Sequence, residues 1–406
     1  MRGFIALLAL LLPATAWAAQ DNFVQVERGR YLVTAGDCMP CHTVPGGTPY
    51  AGGRGLATPF GTINSANITP DLQTGIGAWS EDDFVRALHE GRRPDGNYLY
   101  PAFPYPSYTK ISRADADDIY AFLRTLPAVA NAVNRDTLPF PFDLRISMLG
   151  WNALFFKPGR FVPDPKQSAE YNRGAYLVEG LGHCGSCHTP INTLGGTKGD
   201  EAYQGGLLQA WLAPNITDDL RVGLGKWSAD DVVQYLKTGR NLRSQASGPM
   251  AEVVAYSTSQ MTDADLRAMA TYLKARGPGG PPAPAPLAGD NPQMKTGSAI
   301  YDDACSACHK RDGTGVQLMF PPLAGGQVVQ QPDPTTLIRI VVQGVQAVAT
   351  DAAPTAPAMP AFGWRLNDDQ VAAVLSYVRN SWGNAAPAVS AEQVRKLRPQ
   401  LAQQVE

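Results

Sequence analysis

Residues 173–190 read RGAYLVEGLGHCGSCHTP, and the five-residue pattern Cys184-Gly185-Ser186-Cys187-His188 inside them occurs twice more. Cys38-Met39-Pro40-Cys41-His42 precedes it and Cys305-Ser306-Ala307-Cys308-His309 follows. Every cysteine of the 406-residue chain lies in a C-x-x-C-H, and three of the five histidines complete the motifs. In such a motif two thiols add to the two vinyl groups of a porphyrin, and the adjoining imidazole is carried under the iron. The pattern predicts three covalently bound haem c groups on Cys38, Cys41, Cys184, Cys187, Cys305 and Cys308, with His42, His188 and His309 as axial ligands. Zinc competes for the same side chains, but a structural zinc site takes four ligands and each motif offers three. A redox C-x-x-C needs no histidine.

Around the motifs the chain repeats itself. RGRYLV (28–33) precedes the first and RGAYLV (173–178) the second; ANIT (66–69) and GIGAWSEDDFV (75–85) are matched by PNIT (214–217) and GLGKWSADDVV (223–233). The third unit is more divergent and keeps Gly297 and Tyr301 ahead of its motif. Each unit reads as helix, haem loop, helix, loop, helix, an all-α expectation. Ser112, Thr262 and Asn367 open the last helices in capping-box style, with apolar residues following at helical spacing. Ser80 and Ser228 open the middle helices, and Trp79 and Trp227 stand before them as core or haem-edge aromatics.

The expected divisions are a signal peptide at 1–19, units at 20–130, 171–277 and 291–384, a packed connector at 131–170, a Pro/Gly linker at 278–290 and a tail at 385–406. Arg2, the apolar run from Phe4 to Leu12 and Ala16-Trp17-Ala18 make an export signal, which places the mature chain in the periplasm. Lys plus Arg is 34 against 36 Asp plus Glu, a balance that leaves no footprint for nucleic acid. In the tail Val394, Leu397 and Leu401 recur at loose helical spacing interrupted by Pro399. The tail reads as a solvated terminal helix, with a membrane or subunit contact as the alternative.

A proximal His leaves one axial position, which a Met thioether fills in many electron-transfer haems. Met250 in SGPM and Met359 in PAMP sit in Pro-containing loops ahead of the last helix of their units and are the expected distal ligands. Pro101-Ala102-Phe103-Pro104 is the PAMP tetrapeptide with one change, so Phe103 occupies the distal position of the first haem. Three options stay open there: a five-coordinate iron under a Phe lid, His89 as alternative ligand, or a nearby Tyr or Lys110. His89 otherwise reads as a surface helix residue, and His183 as structural or near a propionate.

The segments RGRYLVTAGDCMPCHT, NITPD, YPAFPYPSY, LPFPF, SGPMAEVV and PAMPAFGW resemble the tri-haem cytochrome c subunits of periplasmic, membrane-associated alcohol, gluconate, fructose and aldehyde dehydrogenases. The resemblance covers the whole mature chain. It implies three tandem class I cytochrome c domains, Met250 and Met359 as distal ligands, and a dehydrogenase catalytic subunit as partner. Electrons would pass to quinone or a soluble acceptor, with peripheral contact at the inner membrane. Alcohol- and fructose-oxidising members read YPAMPY in the first domain, so Phe103 is a departure; a Phe there is also similar to relatives beside molybdenum-dependent oxidoreductases. The rival readings are a ligand-binding or peroxidase-type protein working at the first haem and a free-standing electron shuttle.

Overall fold

A computed structural model describes residues 14–134 and 137–402, with side chains from Asn22 onward. Most of the expected export signal therefore lies outside the described residues. The fold is mostly helical, and three short two-stranded antiparallel ribbons depart from the all-α expectation.

The unit around the first motif contains α1 (Ala14–Ala35), the one-turn α2 (Cys38–Cys41), β1 (Gly55–Thr58), β2 (Gly61–Asn64), α3 (Glu81–Glu90), the one-turn α4 (Tyr105–Tyr108) and α5 (Arg113–Leu123). α6 (Ser147–Phe155) lies in the connector. Around the second motif are α7 (Ala169–Tyr176), α8 (Gly185–His188), β3 (Gly206–Leu208), β4 (Trp211–Ala213), α9 (Ala229–Thr238), α10 (Pro249–Tyr256) and α11 (Asp263–Lys274). The third has α12 (Pro292–Ala304), α13 (Ser306–His309), α14 (Thr335–Gln343), β5 (Val345–Gln346), β6 (Ala358–Met359) and α15 (Asp368–Asn380), followed by α16 (Ala391–Ala402).

In each unit the helix before the motif crosses the last helix: α1 on α5, α7 on α11, α12 on α15. A glycine sits at every crossing. A Cβ on Gly29 would stand 1.9 Å from the Asp118 carbonyl oxygen, one on Gly174 1.9 Å from that of Ala268, and one on Gly297 2.2 Å from that of Ala373. These are backbone oxygens, so they cannot swing aside, and only hydrogen on Cα lets the two helices approach so closely. That contact is why the three segments share a Gly at this register despite their divergence.

Ser80, Ser228 and Asn367 form complete capping boxes. Ser112 and Thr262 accept from the backbone N–H of Asp115 and Asp265, but these carboxylates do not return to the cap. Asp115 is taken by Arg28 and by Tyr176 of the second unit, Asp265 by Arg173 at 2.8 Å and by Tyr31 of the first unit at 2.6 Å. Each unit thus lends a tyrosine to the other's helix start, an exchange with approximate two-fold symmetry. Cys184 follows Tyr176 by eight positions where Cys38 follows Tyr31 by seven. A π-helical turn over Leu177–Leu181 absorbs the extra residue without moving the crossing.

The third unit rests on the second. Gln331 Nε2 donates to the Val222 carbonyl at 2.6 Å, Gln327 Nε2 to that of Asn215 at 2.7 Å, and the Leu212 N–H to Thr336 Oγ1 at 2.7 Å. The tail corrects the reading of a solvated terminal helix. α16 continues through Pro399 and buries Val394, Leu397 and Leu401 against α14 and α15, so its apolar stripe belongs to the core of the third unit. The connector runs along the first unit, where the Phe161 N–H donates to the Lys110 carbonyl at 2.9 Å. α6 buries none of its own residues, and Phe140, Ile146, Leu154 and Val162 are exposed.

Gly297→Ala is expected to lower stability by about 1–3 kcal/mol, the usual magnitude for overpacking a tight contact. Chemical denaturation should show a lower midpoint at unchanged slope, with Thr296→Ala, at an exposed position of the same helix, as the control.

Candidate metal centres

The three motif histidines share one geometry. His42 Nδ1 lies 2.6 Å from the Ala66 carbonyl oxygen, His188 Nδ1 2.6 Å from that of Pro214, and His309 Nδ1 3.2 Å from that of Pro321. A carbonyl can only accept, so Nδ1 carries the proton and the Nε2 lone pair remains for a metal. Burial lowers the pKa of all three imidazoles, which keeps them neutral, the form that ligates.

The NIT segments build the acceptors. Asn67 Oδ1 accepts from the Thr69 N–H at 2.9 Å and Oγ1 at 2.7 Å, and Asn215 does the same with Thr217 at 2.8 and 2.7 Å. These Asx turns fix the preceding residue, whose carbonyl faces the imidazole. Each Asn then donates through Nδ2 to the chain beyond the last helix, to Val129 in one unit and Gly279 in the other. The sequence marked NIT as repeated; its role as the clamp on the proximal ring was missed, because ring and carbonyl are 24 and 26 residues apart. The third unit lacks the ribbon between motif and acceptor and uses Pro321, 12 residues on.

Donor chemistry tests whether these residues suit haem. None of the six cysteines is in a disulfide. Burial pushes the Cys38 and Cys184 thiols up to about 12 and those of Cys41, Cys187 and Cys305 up to about 11, so each stands protonated, as a thiol. Among the described residues no three His, Cys, Asp or Glu side chains converge as a ligand set. Paired thiols with a tautomer-fixed imidazole beside them fit covalently held haem c.

Met250 is the second residue of α10 and packs half-buried on the core that includes Cys184; Met359 lies in β6, paired with Val345, and packs on the core that includes Cys305. Phe103 is half-buried on the same core as Cys38, its ring edge-on to Tyr108 with centroids 5.4 Å apart. Trp79 and Trp227 both join that core.

His89 is not a surface residue. It is 1% exposed, because α3 turns it inward at its C-terminal end. The Arg160 guanidinium donates to its Nδ1, leaving Nε2 to carry the proton, buried and with no hydrogen-bond partner. His183, in the left-handed region at φ 36°, sits at the seam of the first two units, its ring edge-on to Tyr108 at 5.7 Å and Nε2 3.4 Å from the Gly36 carbonyl oxygen. The attachment loops of those two units therefore abut, and Arg54 braces them with both oxygens of Glu252 at 2.9 Å.

The family model described as Cytochrome c matches residues 26–127 and 294–382. The gluconate 2-dehydrogenase cytochrome c subunit of Pantoea cypripedii is 44% identical over 97% of this chain and 95% of its own length. The cytochrome c subunit of alcohol dehydrogenase (quinone) from Gluconobacter oxydans (strain 621H) is 41% identical over 97% of this chain and 86% of its own. The fructose dehydrogenase cytochrome subunit of Gluconobacter japonicus is 37% identical, covering 95% and 85%.

Burial, with Arg160 and Arg113 adding to it, depresses the His89 imidazole to about 4, below the ~6.5 of an exposed histidine. The folded state therefore holds His89 neutral, and its contribution to stability is complete above pH ~6.5 and lost as pH falls towards 4. His89→Gln, which still accepts from Arg160, should flatten that part of the curve. Urea midpoints of both proteins across this range check it, the expected result being a steeper acid loss in the unsubstituted chain.

Proposed function

This chain belongs to the family of dehydrogenase cytochrome c subunits, and on that premise we propose that it is a tri-haem electron conduit. It takes electrons from a periplasmic catalytic subunit oxidising an alcohol, a sugar acid or an aldehyde. It delivers them to quinone or to a soluble acceptor. The observation that carries the reading is the recurrence, at all three C-x-x-C-H motifs, of an imidazole whose Nδ1–H is held by a backbone carbonyl. Haem, when bound, supplies a reversible one-electron change at its iron.

The protein's own part is ligation, burial and spacing. Cys38, Cys41, Cys184, Cys187, Cys305 and Cys308 hold the porphyrins, and His42, His188 and His309 hold the irons from one side. Met250 and Met359 hold the second and third from the other, where a thioether favours the reduced state. Three tandem cytochrome c domains account for the architecture. The second takes the relay position, supported by its contacts with the other two through the Tyr31 and Tyr176 exchange and through Gln327 and Gln331.

Among the described residues no helix is long and apolar enough to cross a membrane. Peripheral docking is supported instead by the exposed apolar side chains Phe140, Ile146, Leu154 and Val162 of the connector. The free-standing shuttle is the weaker alternative, because the relatives that cover the chain end to end are named as subunits.

The holoprotein should carry about three haems per chain by pyridine haemochrome, and the pair Cys305→Ala, Cys308→Ala about two. Reduction by the co-expressed dehydrogenase and its substrate, followed by stopped flow, should bring up the sharp ferrous α-band of all three; a chain that purifies alone and is never reduced overturns the subunit reading. Met359→His should lower one midpoint potential by a fraction of the ~0.8 V that axial ligands span, with haem content unchanged. Potentiometric titration reads that shift directly.

A further inference from the structure

We propose that the first centre keeps His42 as its sole protein ligand, and that the face under Phe103 is a binding site for a small neutral diatomic molecule. This rests on Cys38, Cys41 and His42 holding haem as above. The first observation is positional. Phe103 and Met250 pack half-buried on the core that the first two units share, with Cys38 and Cys184 on the same core, and Met359 packs with Cys305 on the core of the third. Phe103 stands edge-on to Tyr108, whose hydroxyl reaches the Gly36 carbonyl two residues before Cys38. A phenyl ring offers no lone pair to iron, so ligation there needs another side chain.

The structure engages the other candidates elsewhere. His89 accepts from Arg160 at Nδ1, and its Nε2 is protonated and buried. Lys110 Nζ lies 2.5 Å from Glu179 Oε2, in an ion pair across the seam with the second unit. The Tyr105 hydroxyl donates to Asn152 Oδ1 at 2.5 Å and the Tyr108 hydroxyl to the Gly36 carbonyl at 3.1 Å. Met148 belongs to α6, which buries nothing, and it is absent from the cluster that holds Cys38 and Phe103. Recruiting any of the first four would strip a partner from a part-buried polar group, a loss that ligation would first have to offset.

The chemistry of the pocket selects its ligand. Distal polarity and hydrogen-bond donors decide whether a haem activates an oxidant or only binds a gas. Phe103 and the Tyr108 ring present carbon, and the Tyr108 hydroxyl is already donated away. Neither ring offers a bound peroxide an acid–base partner. Carbon monoxide or nitric oxide needs none. Binding is a ligand association with no change in electron count, so it needs no co-reactant beyond prior reduction of the iron.

The test uses the full-length holoprotein. Pyridine haemochrome comes first: fewer than about three haems per chain would defeat the attachment reading, independently of ligation. With three present, low-temperature EPR of the ferric protein should show about one haem in three high-spin, and the dithionite-reduced protein should take up about one CO per chain. Phe103→Met, a swap of similar volume, should abolish CO uptake and turn the high-spin signal low-spin. A fully low-spin wild type that refuses CO overturns the proposal. If His89→Gln or Met148→Leu then opens a CO site, the ligand that defeats it is identified. CO uptake unchanged in Phe103→Met also overturns it, since Phe103 would then not stand at the distal face.

Discussion

The hydrogen bond from each motif imidazole to a main-chain carbonyl is the constraint on which the rest of this molecule turns. A C-x-x-C-H fixes where the histidine is in the chain, but not which nitrogen faces the iron or how the ring is turned. A carbonyl acceptor settles both at once, since it demands the proton on Nδ1. The surrounding loops serve that acceptor. In two units an Asx turn aims it and is itself tied to the chain after the last helix; in the third a proline-flanked loop reaches the same place by a shorter path. Loop length varies while the bond persists, which is how three divergent units keep one ligand geometry.

The units are joined by buried charge as much as by apolar contact. Asp115 and Asp265 each open a helix, pair with an arginine of their own unit and accept a tyrosine from the other. Burial acts to raise the Asp265 carboxyl, but the Arg173 fork and the Tyr31 hydroxyl outweigh it and hold it below the usual range. A part-buried carboxylate with this many partners is expensive to separate. The seam therefore holds the first two attachment loops at a fixed distance, which a conduit for electrons requires. The third unit is attached through main-chain groups that pair with the Gln327 and Gln331 amides, the Thr336 hydroxyl and the Arg221 and Arg240 guanidiniums, with no carboxylate in these contacts.

Apolar surface is distributed unevenly. α16 covers the third unit with Val394, Leu397 and Leu401, whereas α6 and the adjoining Phe156 meet the first unit at Tyr105, Phe155 lies beside Gly196 of the second, and Leu149 and Leu154 stay in solvent. What distinguishes them is that α16 sets its apolar stripe against both α14 and α15, while α6 meets the Tyr105 region with Trp151 and Asn152.

The sequence by itself determined everything that acts within a few residues. The attachment thiols and adjoining histidines, the serine and asparagine caps and the substitution of Phe103 for a methionine all depend on spacing along one strand of chain. Tertiary structure decided what needs a partner far away. The Ala66 and Pro214 carbonyls, the arginine that captures His89, and the diversion of Asp115 and Asp265 from capping to the seam all pair groups separated by 24 to 234 residues. A hydrogen bond is satisfied by whichever acceptor folding brings within reach. Local pattern can therefore state that His89 carries a donor and an acceptor, but only packing can assign them.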